Sequence, residues 1–361
     1  MTIRKRLLPI ALAALGLGLL LGCAPSATPT PTPAPPLTVQ DGLGRPVRLA
    51  APPQRIVIAG KAGLLIADAV YAFPQARGRV VALSRRSQTA AALRFLGLLD
   101  PRLEEKRLLE RDVSAEHIAA LHPDVVLMKG FLAPKLGAAV EALGIAVYYV
   151  QMERAATYPR EFRDLGVLLG EPQRGAALAA YYRQKIAQVQ ARTAHAEGQP
   201  KVLFLQHTAK GGVTAYKVPP ASWLQADMVR LAGGQPVWAQ GQAANWQVVS
   251  LEQIAAWQPD QIYIADYFAD PAQAVAAFQA DPIARRLAAV QAGQVYPFPK
   301  DFLSWDQPDP RWILGLLWLS AHIHPQASPS IAMDEEVGAF YQQVYGLDEA
   351  AWRALLSGGK P

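Results

Sequence analysis

The sequence predicts an α/β fold built as two lobes joined by one long helix. β-Branched runs such as 55–59 are followed by a glycine-containing turn and a helical pattern, and this order recurs along the chain. Between 156 and 197 the strand patterns stop, and 176–192 has the amphipathic spacing of a long helix. The chain of 361 residues is also too long for one compact core, which favours two lobes.

The strand and helix patterns divide the chain into segments. Strands are predicted at 55–59, 79–83, 124–128, 145–150, 201–205, 261–264 and 294–296, and closing helices at 311–323 and 335–345. We therefore expect a first lobe over 38–155, a connecting helix over 156–197, and a second lobe with the closing helices over 198–361.

An internal repeat supports the prediction of two lobes. Val113–Asp124 and Val249–Asp260 are identical at eight of twelve positions. In each copy a serine can cap the start of a helix, a glutamate lies in the first turn where the helix dipole favours it, and a proline ends the helix before a strand. The two lobes should therefore carry equivalent helix–turn–strand units.

The amino terminus has the pattern of an export signal. Basic residues at 4–6 precede an apolar run at 7–21, which Gly22 and Cys23 close. The apolar run has fifteen residues. At about 1.5 Å each such a run spans roughly 22 Å, which is less than the ~30 Å core of a membrane. We predict that 1–22 is a signal peptide that is cleaved.

Cys23, the only cysteine in the chain, is the expected attachment point of a lipid. A small residue before it leaves room for a peptidase, and its thiol is a nucleophile that can carry a diacylglyceryl group. The segment Leu20–Cys23 resembles the bacterial lipobox, which implies lipidation at Cys23. Residues 23–37 are rich in proline and threonine, so we expect an extended tether between the lipid and the folded body.

Composition and motif content exclude several classes of function. The net charge of +6 includes the basic residues at 4–6, which leave with the signal, and the other basic residues are scattered, so nucleic-acid binding is not indicated. The sequence contains no P-loop, no Gly-x-Ser-x-Gly elbow and no dinucleotide fingerprint, and its histidines lack the spacing of a bare-metal site. We predict that the protein is not an enzyme and needs no cofactor.

Candidate binding residues follow the predicted strands, because ligands of open α/β sheets lie beyond the carboxyl ends of the strands. The first lobe offers Lys61, Ser84, Arg85, Arg86 and Lys129, and the second offers His207, Lys217, Trp223, Trp246, Tyr267, Trp305 and Arg311. The first-lobe candidates include no acid, so the pattern predicts an anionic ligand. Lys61 also opens a helix, where free backbone N–H groups attract anions.

Each of these residues also has a purely structural interpretation. The basic residues could be solvated surface charges, and the tryptophans could pack in the core or stack on a planar ligand. His207 could ligate the metal of a bound complex or be structural, and Arg311 could clamp an anion or simply start the last long helix. The sequence leaves these alternatives open.

Segments spread over the whole body resemble the two-lobed binding proteins of ABC importers, whose members take iron-siderophores, haem, cobalamin, or molybdate and tungstate. These segments are Asp41–Arg48 with Pro52–Val57, both copies of the repeat, Leu231–Gly234, Trp305–Arg311, Leu316–Pro325 and Phe340–Gly346. The resemblance implies two Rossmann-like lobes, a rigid connecting helix and a ligand cleft between the lobes. It also implies that Glu116 and Glu252 dock on the permease dimer of an importer.

The predicted function is therefore an extracytoplasmic, lipid-anchored and monomeric binding protein, in the periplasm or on the outer face of the membrane. Its ligand would be an anionic metal chelate or an oxyanion such as molybdate. Two other functions remain open on the sequence, namely a tethered sensory binding protein and a two-domain hydrolase. Turnover of ester or phosphate substrates would favour the hydrolase.

Overall fold

Two β-sheets, one in each half of the chain, form the framework of the protein. The computed structural model describes Thr2 and residues 36–84, 89–110, 112–211, 213–239, 243–327 and 329–356. Apart from Thr2, the predicted signal peptide 1–22 lies outside the described residues, as do Cys23 with most of the tether, Arg85 and Arg86. No helix within the described ranges is long and apolar enough to cross a membrane.

The first lobe is a parallel sheet covered by helices. Its strands are β1 (Leu37–Gln40), β2 (Pro46–Leu49), β3 (Ile56–Ile58), β4 (Val80–Ser84), β5 (Arg107–Leu109), β6 (Val125–Lys129) and β7 (Val147–Val150). Its helices are α1 (Gly63–Tyr71), α2 (Pro74–Arg77), α3 (Thr89–Leu99), α4 (Ala115–Ala119) and α5 (Ala138–Ala142). Strands β1 and β2 form an antiparallel hairpin, and the other five form one parallel sheet in the order β5-β4-β3-β6-β7. Strands β3 and β6 are buried along their whole length, as parallel strands covered on both faces should be.

Two helices, α6 (Tyr158–Leu168) and α7 (Pro172–Thr193), lead from the first lobe to the second. The predicted long helix is α7, which has 22 residues. It does not fill all of 156–197, because the chain turns at Gly170, whose φ of +73° favours glycine. Helix α6 packs tightly on α7, since a β-carbon added at Gly166 would lie 2.6 Å from the Cα atom of Gly175.

The second lobe repeats the plan of the first with a mixed sheet. Its strands are β8 (Lys201–Lys210), β9 (Val213–Val218), β10 (Gln235–Pro236), β11 (Gln247–Val249), β12 (Gln261–Asp266) and β13 (Val295–Pro297). Its helices are α8 (Leu224–Leu231), α9 (Leu251–Trp257), α10 (Pro271–Ala280), α11 (Ala288–Gln291), α12 (Trp312–Ile323), α13 (Met333–Phe340) and α14 (Glu349–Leu356). The sheet order is β11-β9-β8-β12-β13, and β10 pairs with β8. Strands β8, β12 and β13 are parallel, whereas β9 is antiparallel to both β8 and β11.

Short helical turns complete both lobes. The 3-10 turns are Leu103–Glu105, Gly130–Leu132 and Ala284–Arg286, and the π-helical turns are Ala133–Gly137 and Tyr341–Tyr345. The second π-helical turn continues α13, so the predicted closing helix at 335–345 is present with a change of winding in its last turn.

The repeat in the sequence forms equivalent helix starts in the two lobes. The Ser114 hydroxyl accepts a hydrogen bond from the backbone N–H of His117 at 3.4 Å, at the start of α4. The Ser250 hydroxyl accepts one from the backbone N–H of Gln253 at 3.2 Å, at the start of α9. The predicted serine caps are confirmed.

The aspartates that end the two repeats also have equivalent roles. Asp124 accepts a hydrogen bond from the backbone N–H of Arg55 at 2.9 Å, just before β3. Asp260 accepts one from the backbone N–H of Lys201 at 2.7 Å, at the start of β8. Each aspartate therefore joins the start of one central strand to the start of its neighbour.

Aromatic packing ties the connecting helices to the second lobe. Phe162 of α6 stacks on Tyr182 of α7 with ring centroids 5.1 Å apart, and Tyr158 meets Trp312 of α12 edge-on at 5.3 Å. All four rings are fully buried. The apolar core therefore runs from one lobe to the other through α6 and α7.

The last helices of the chain pack on the first lobe. Arg174 of α7 donates to the carbonyl of Val344 at 2.8 Å, and Arg77 of α2 donates to the carbonyl of Tyr345 at 3.1 Å. The ring of Tyr345 also meets Phe95 of α3 edge-on at 4.7 Å. The closing helices, predicted with the second lobe, thus return to the first.

A fully buried arginine, Arg311, joins the two lobes through charge. Its guanidinium pairs with Asp68 of α1 in the first lobe, and its Nε donates to Asp301, which follows β13 in the second lobe, at 3.0 Å. The guanidinium also lies over the ring of Phe302, 3.9 Å from its centroid. Tyr345 completes the shell of Asp68 with a hydrogen bond of 2.8 Å.

Replacement of Arg311 by alanine should strongly destabilise the protein. The substitution leaves Asp68 and Asp301 as buried carboxylates without their cation, and removal of one partner of a buried pair costs about 3–5 kcal/mol. Urea unfolding followed by circular dichroism measures the change in the free energy of unfolding. The matched control is Arg353→Ala, which breaks an exposed helical pair with Glu349 and should cost no more than about 0.5 kcal/mol. Equal losses for the two variants would contradict the role given to Arg311.

Candidate functional site

The carboxyl ends of the first-lobe strands present a cation beside an exposed aromatic ring. Lys61 is exposed and lies between Gly60 and Ala62, which have φ values of +80° and +65°. Its Nζ lies 5.9 Å from the ring centroid of Phe131, and Phe131 is 55% exposed. A ligand at this edge would therefore meet both a positive charge and an apolar face.

Two other first-lobe candidates, Ser84 and Lys129, are buried. Lys129 is buried, and its Nζ donates to the carbonyl of Gln151 at 2.5 Å and to the carboxylate of Glu153 at 2.8 Å. Ser84 is buried, and its hydroxyl donates to the carbonyl of Ile58 at 3.4 Å. The prediction that both side chains face a ligand is corrected, because each already satisfies groups of the strand ends.

Three second-lobe candidates form one continuous aromatic row, Trp223, Trp246 and Tyr267. The rings of Trp223 and Trp246 meet edge-on with centroids 5.8 Å apart, and Trp246 meets Tyr267 edge-on at 6.2 Å. Trp223 and Trp246 are only half-buried. The row therefore keeps aromatic surface available at the end of β12.

A buried carboxylate, that of Asp306, holds Tyr267 of the aromatic row in place. The hydroxyl of Tyr267 donates to Asp306 at 2.6 Å, and Ser304 and Gln225 donate to the same carboxylate at 2.5 and 3.1 Å. Burial raises the pKa of Asp306, and the hydrogen bonds from Ser304, Tyr267 and Gln225 oppose that rise. This network fixes the tyrosine ring in one orientation.

The His207 cavity lies at the carboxyl ends of β8 and β12. It has a volume of about 520 Å³, and its lining includes His207, Lys217, Asp266, Phe268 and Asp270. His207 and Asp266 are register partners on neighbouring strands, and His207 Nδ1 lies 2.7 Å from Asp266 Oδ2. The cavity therefore combines one imidazole, one ammonium and one exposed ring.

Asp266 is held as a carboxylate by its surroundings. Burial opposes its ionisation, but the backbone N–H groups of Ala269 and Phe268 and the ring of His207 outweigh burial and lower the pKa of Asp266. Both N–H groups donate to Asp266 Oδ1 at 2.8 Å. The ring of His207 therefore faces an anion.

Phe131 and Phe268 were not predicted from the sequence. Each is the second residue after a central strand, β6 in the first lobe and β12 in the second. Phe268 is 63% exposed, so both lobes present an apolar ring at equivalent places. The signal available in the sequence was an aromatic residue two positions after the end of a buried strand.

Arg311 and Trp305 belong to the interior. Arg311 is fully buried among Asp68, Asp301 and Asp309, and Trp305 is 8% exposed and donates its Nε1–H to Asp301 at 3.2 Å. The prediction that Arg311 clamps an anionic ligand is corrected, because Asp68 and Asp301 already pair with its guanidinium. The position of Trp305 agrees with core packing.

The two glutamates of the repeat are exposed at matching places. Helices α4 and α9 begin beyond the carboxyl ends of β5 and β11, which are the corresponding edge strands of the two sheets. The Ser114 hydroxyl and the backbone N–H of Glu116 lower the pKa of Glu116, and its own N–H and the Ser250 hydroxyl lower the pKa of Glu252. Each lobe therefore carries an ionised carboxylate on the same edge as the candidate binding residues.

Among the described residues no three His, Cys, Asp or Glu side chains are grouped so that they could hold a metal ion. The two sheets and the connecting helix α7 have the architecture of a two-lobed binding protein. Comparison with known families gives the same class, because residues 101–302 match the family described as periplasmic binding protein. The match covers more than half of the chain, and the protein belongs to this family. Membership of this family implies an extracytoplasmic location and a solute-binding role, not an enzymatic one.

Two relatives share part of the sequence. The vitamin B12-binding protein of Yersinia pestis is 27% identical over 154 residues, which are 42% of this chain and 52% of the relative. That of Pectobacterium atrosepticum is 27% identical over 218 residues, 56% of this chain and 75% of the relative. The chain thus aligns with about half the length of the first of these proteins.

The fold is shared with several crystal structures. A periplasmic solute-binding protein of Veillonella parvula superposes with a TM-score of 0.70 at 22% identity, covering 89% of this chain and 96% of the other. CeuE of Helicobacter pylori, in complex with Ni-His, gives 0.70 at 19% identity, covering 89% and 99%. The molybdate-bound MolA of Haemophilus influenzae gives 0.69 at 17% identity, covering 86% and 98%. These likenesses confirm the predicted two-lobed α/β fold.

The buried Asp309 beside Arg311 predicts a pH dependence of stability. Burial raises the pKa of Asp309 well above its usual value, nearby Asp68 adds to the rise, and Arg311 opposes it. The Oδ2 atom of Asp309 is buried and makes no hydrogen bond within the described part of the chain. The folded protein thus keeps a proton that the unfolded chain releases above about pH 4, so stability falls as pH rises from there toward the folded pKa.

The Asp309→Asn variant has no titratable group at this position, either in the folded protein or in the unfolded chain. We expect its free energy of unfolding, relative to the wild type, to increase with pH by at most about 1.4 kcal/mol per pH unit. Urea unfolding of both proteins at pH 5 and pH 8 measures the two differences. A difference that is the same at both pH values would contradict a raised pKa for Asp309.

Proposed function

We propose that this protein is a lipid-anchored receptor that binds a metal chelate and delivers it to the permease dimer of an ABC importer. The observation that carries the proposal is the pair of apolar faces at the carboxyl ends of the two sheets. The first lobe offers Phe131, and the second offers Phe268 and the aromatic row. Flat aromatic surface suits the organic part of a chelate or macrocycle.

An oxyanion is the weaker candidate because two predicted cations are already paired. Lys129 is neutralised by Glu153, and Arg311 by Asp68 and Asp301. A small tetrahedral oxyanion needs several convergent donors and gains little from aromatic rings. Lys61 and Lys217 are enough to complement the charge of an anionic chelate.

Membrane attachment through Cys23 is part of the proposal. The order of basic, apolar and small residues before Cys23 supports export and lipidation, and 23–37 supports an extended tether. The receptor would act as a monomer, because its two lobes supply both faces of the site within one chain.

Glu116 and Glu252 are proposed to dock on the permease. Both are exposed, and both lie beyond the carboxyl ends of edge strands. Two carboxylates on separate lobes can pair with basic residues on two permease subunits and so fix the orientation of the receptor.

Titration of candidate ligands into the purified folded part of the protein, which follows the tether at 23–37, tests the ligand class. We expect saturable quenching of tryptophan fluorescence by a ferric chelate, haemin or cobalamin, and elemental analysis should find the corresponding metal in the protein as isolated. Trp246→Leu should reduce the quenching and lower the affinity about tenfold, since stacking of one ring is worth about 1–3 kcal/mol. Trp318→Phe is the matched control, because Trp318 packs on His322 of α12 near the amino end of β12. A saturable response to molybdate alone would rule out a chelate receptor.

Replacement of both docking glutamates should impair delivery of the ligand to the permease without changing binding of the ligand to the protein. We expect Glu116→Ala with Glu252→Ala to lower uptake of the ligand by cells or proteoliposomes at least tenfold, with ligand affinity unchanged. The control pair is Glu104→Ala with Glu197→Ala, since these exposed glutamates precede β5 and β8 at the amino ends of strands. Normal uptake by the Glu116 and Glu252 double variant would instead favour a sensory role.

A further inference from the structure

We propose that a groove beside the connecting helix α7 is a second binding site, which takes an organic anion with a phosphate or carboxylate group and an aliphatic body. The groove lies where the segment before α6 approaches α7 and α8, and it has a volume of about 540 Å³. None of the candidate cleft residues that the structure describes is part of its lining. The site is therefore independent of the metal chelate, and its failure would leave the proposed function untouched.

The first observation is an excess of positive charge in the groove. Three arginines line it, Arg154, Arg183 and Arg230, and among the described residues of the lining the carboxylate of Asp227 is the only acidic group. At neutral pH the lining thus carries three positive charges against one negative charge. This excess attracts an anion and disfavours a cation.

The second observation is that Asp227 holds one of these arginines in place. Arg154 donates from Nε to Asp227 Oδ2 at 2.7 Å and from Nη2 to Asp227 Oδ1 at 3.3 Å. The backbone N–H of Ala155 donates to the same carboxylate at 3.2 Å, which fixes the segment that carries Arg154. Arg154 follows β7 of the first lobe, whereas Asp227 belongs to α8 of the second lobe. Because this part of the groove is already ordered, a ligand loses little free energy in ordering it.

The third observation is that all three guanidinium groups keep free donors. Arg230 donates from Nη1 to the carbonyl of Ala221 at 3.2 Å, and the same atom lies 3.5 Å from Asp227. Arg183 is exposed and makes no hydrogen bond or ion pair within the described part of the chain. The side chains of Arg154 and Arg230 are 49% and 44% exposed, so a solute can reach them. A guanidinium group binds both oxygens of a carboxylate or phosphate at once.

The fourth observation is the apolar part of the lining. It consists of Pro159, Ile186 and Leu231, together with Ala155 and Ala156. Ile186 and Leu231 are half-buried, so each keeps apolar surface at the groove. The described lining includes no aromatic ring, and this favours an aliphatic body over a planar one. An aliphatic chain that leaves water here adds hydrophobic free energy to the contact between charges.

Calorimetric titration of the purified protein with hexyl phosphate tests the site. We expect saturable binding of one equivalent, at least tenfold tighter than the binding of inorganic phosphate, since roughly two buried methylene groups suffice for that factor. Hexyltrimethylammonium, which has the same chain and the opposite charge, should not bind. Equal affinities for hexyl phosphate and inorganic phosphate would overturn the proposal.

Two sources could supply this ligand chemistry, a free organic anion or an acidic phospholipid of the membrane. Vesicles of phosphatidylglycerol distinguish them, with vesicles of phosphatidylcholine as the zwitterionic control. Binding to phosphatidylglycerol alone, with displacement by hexyl phosphate, would support the proposal and assign the site to a lipid. Saturable binding of hexyl phosphate without binding to either vesicle would support it and assign the site to a free anion.

Two double variants with the same change of charge separate the groove from the overall charge of the protein. Arg183→Gln with Arg230→Gln should lose at least tenfold in affinity for hexyl phosphate, because charge-assisted hydrogen bonds are removed. The matched control is Arg285→Gln with Arg286→Gln, at exposed positions of the second lobe outside the groove. Equal losses in the two double variants would contradict a site in the groove.

A measurement on the wild type locates the probe even where a variant does not fold. In crystals of the protein with 6-bromohexyl phosphate, we expect anomalous scattering from bromine beside Ile186 and Leu231. The phosphate should lie between Arg183 and Arg230. Bromine found only at the carboxyl ends of the strands would overturn the proposal.

Discussion

One buried cation determines how the two lobes meet. Arg311 has no exposed surface, and it pairs with Asp68 of the first lobe and Asp301 of the second. A buried guanidinium without these carboxylates would cost several kcal/mol, so the lobes cannot separate at this point without losing the pairing. The contact lies next to the ring of Phe302, in the segment that follows β13.

The Arg311 contact is one of several that join the two lobes. The closing helices strengthen it, because Tyr345 contacts both Asp68 and Phe95. The pair α6 and α7 links the lobes independently through buried aromatic rings. The two lobes are therefore joined both by a buried charge network and by a buried aromatic cluster.

The two lobes have equivalent helix caps and strand-joining aspartates, but the ends of their central strands differ. The serine caps, the exposed glutamates and the strand-joining aspartates are equivalent in both copies of the repeat. The strand ends differ, because the last residue of β6 is Lys129, paired with Glu153, whereas the last residue of β12 is Asp266, paired with His207. At this position the first lobe has Lys129, whose charge is paired with Glu153, and the second lobe has Asp266, which orients the imidazole of His207.

The sequence alone determined the α/β class, the predicted strands, the capped helices of the repeat and the two-lobe organisation, because these follow from local periodicity and short-range hydrogen bonding. It did not predict β5, β9, β10 and β11, since β5, β10 and β11 have only two or three residues each and β9 is half-exposed and partly polar. Only the tertiary structure decided which charged groups remain free. Arg311 finds Asp68 at a separation of 243 residues and His207 finds Asp266 at 59, and no local pattern records such pairs. A buried charge is neutralised by whichever partner the fold brings near it, and that partner is fixed only once the lobes have packed.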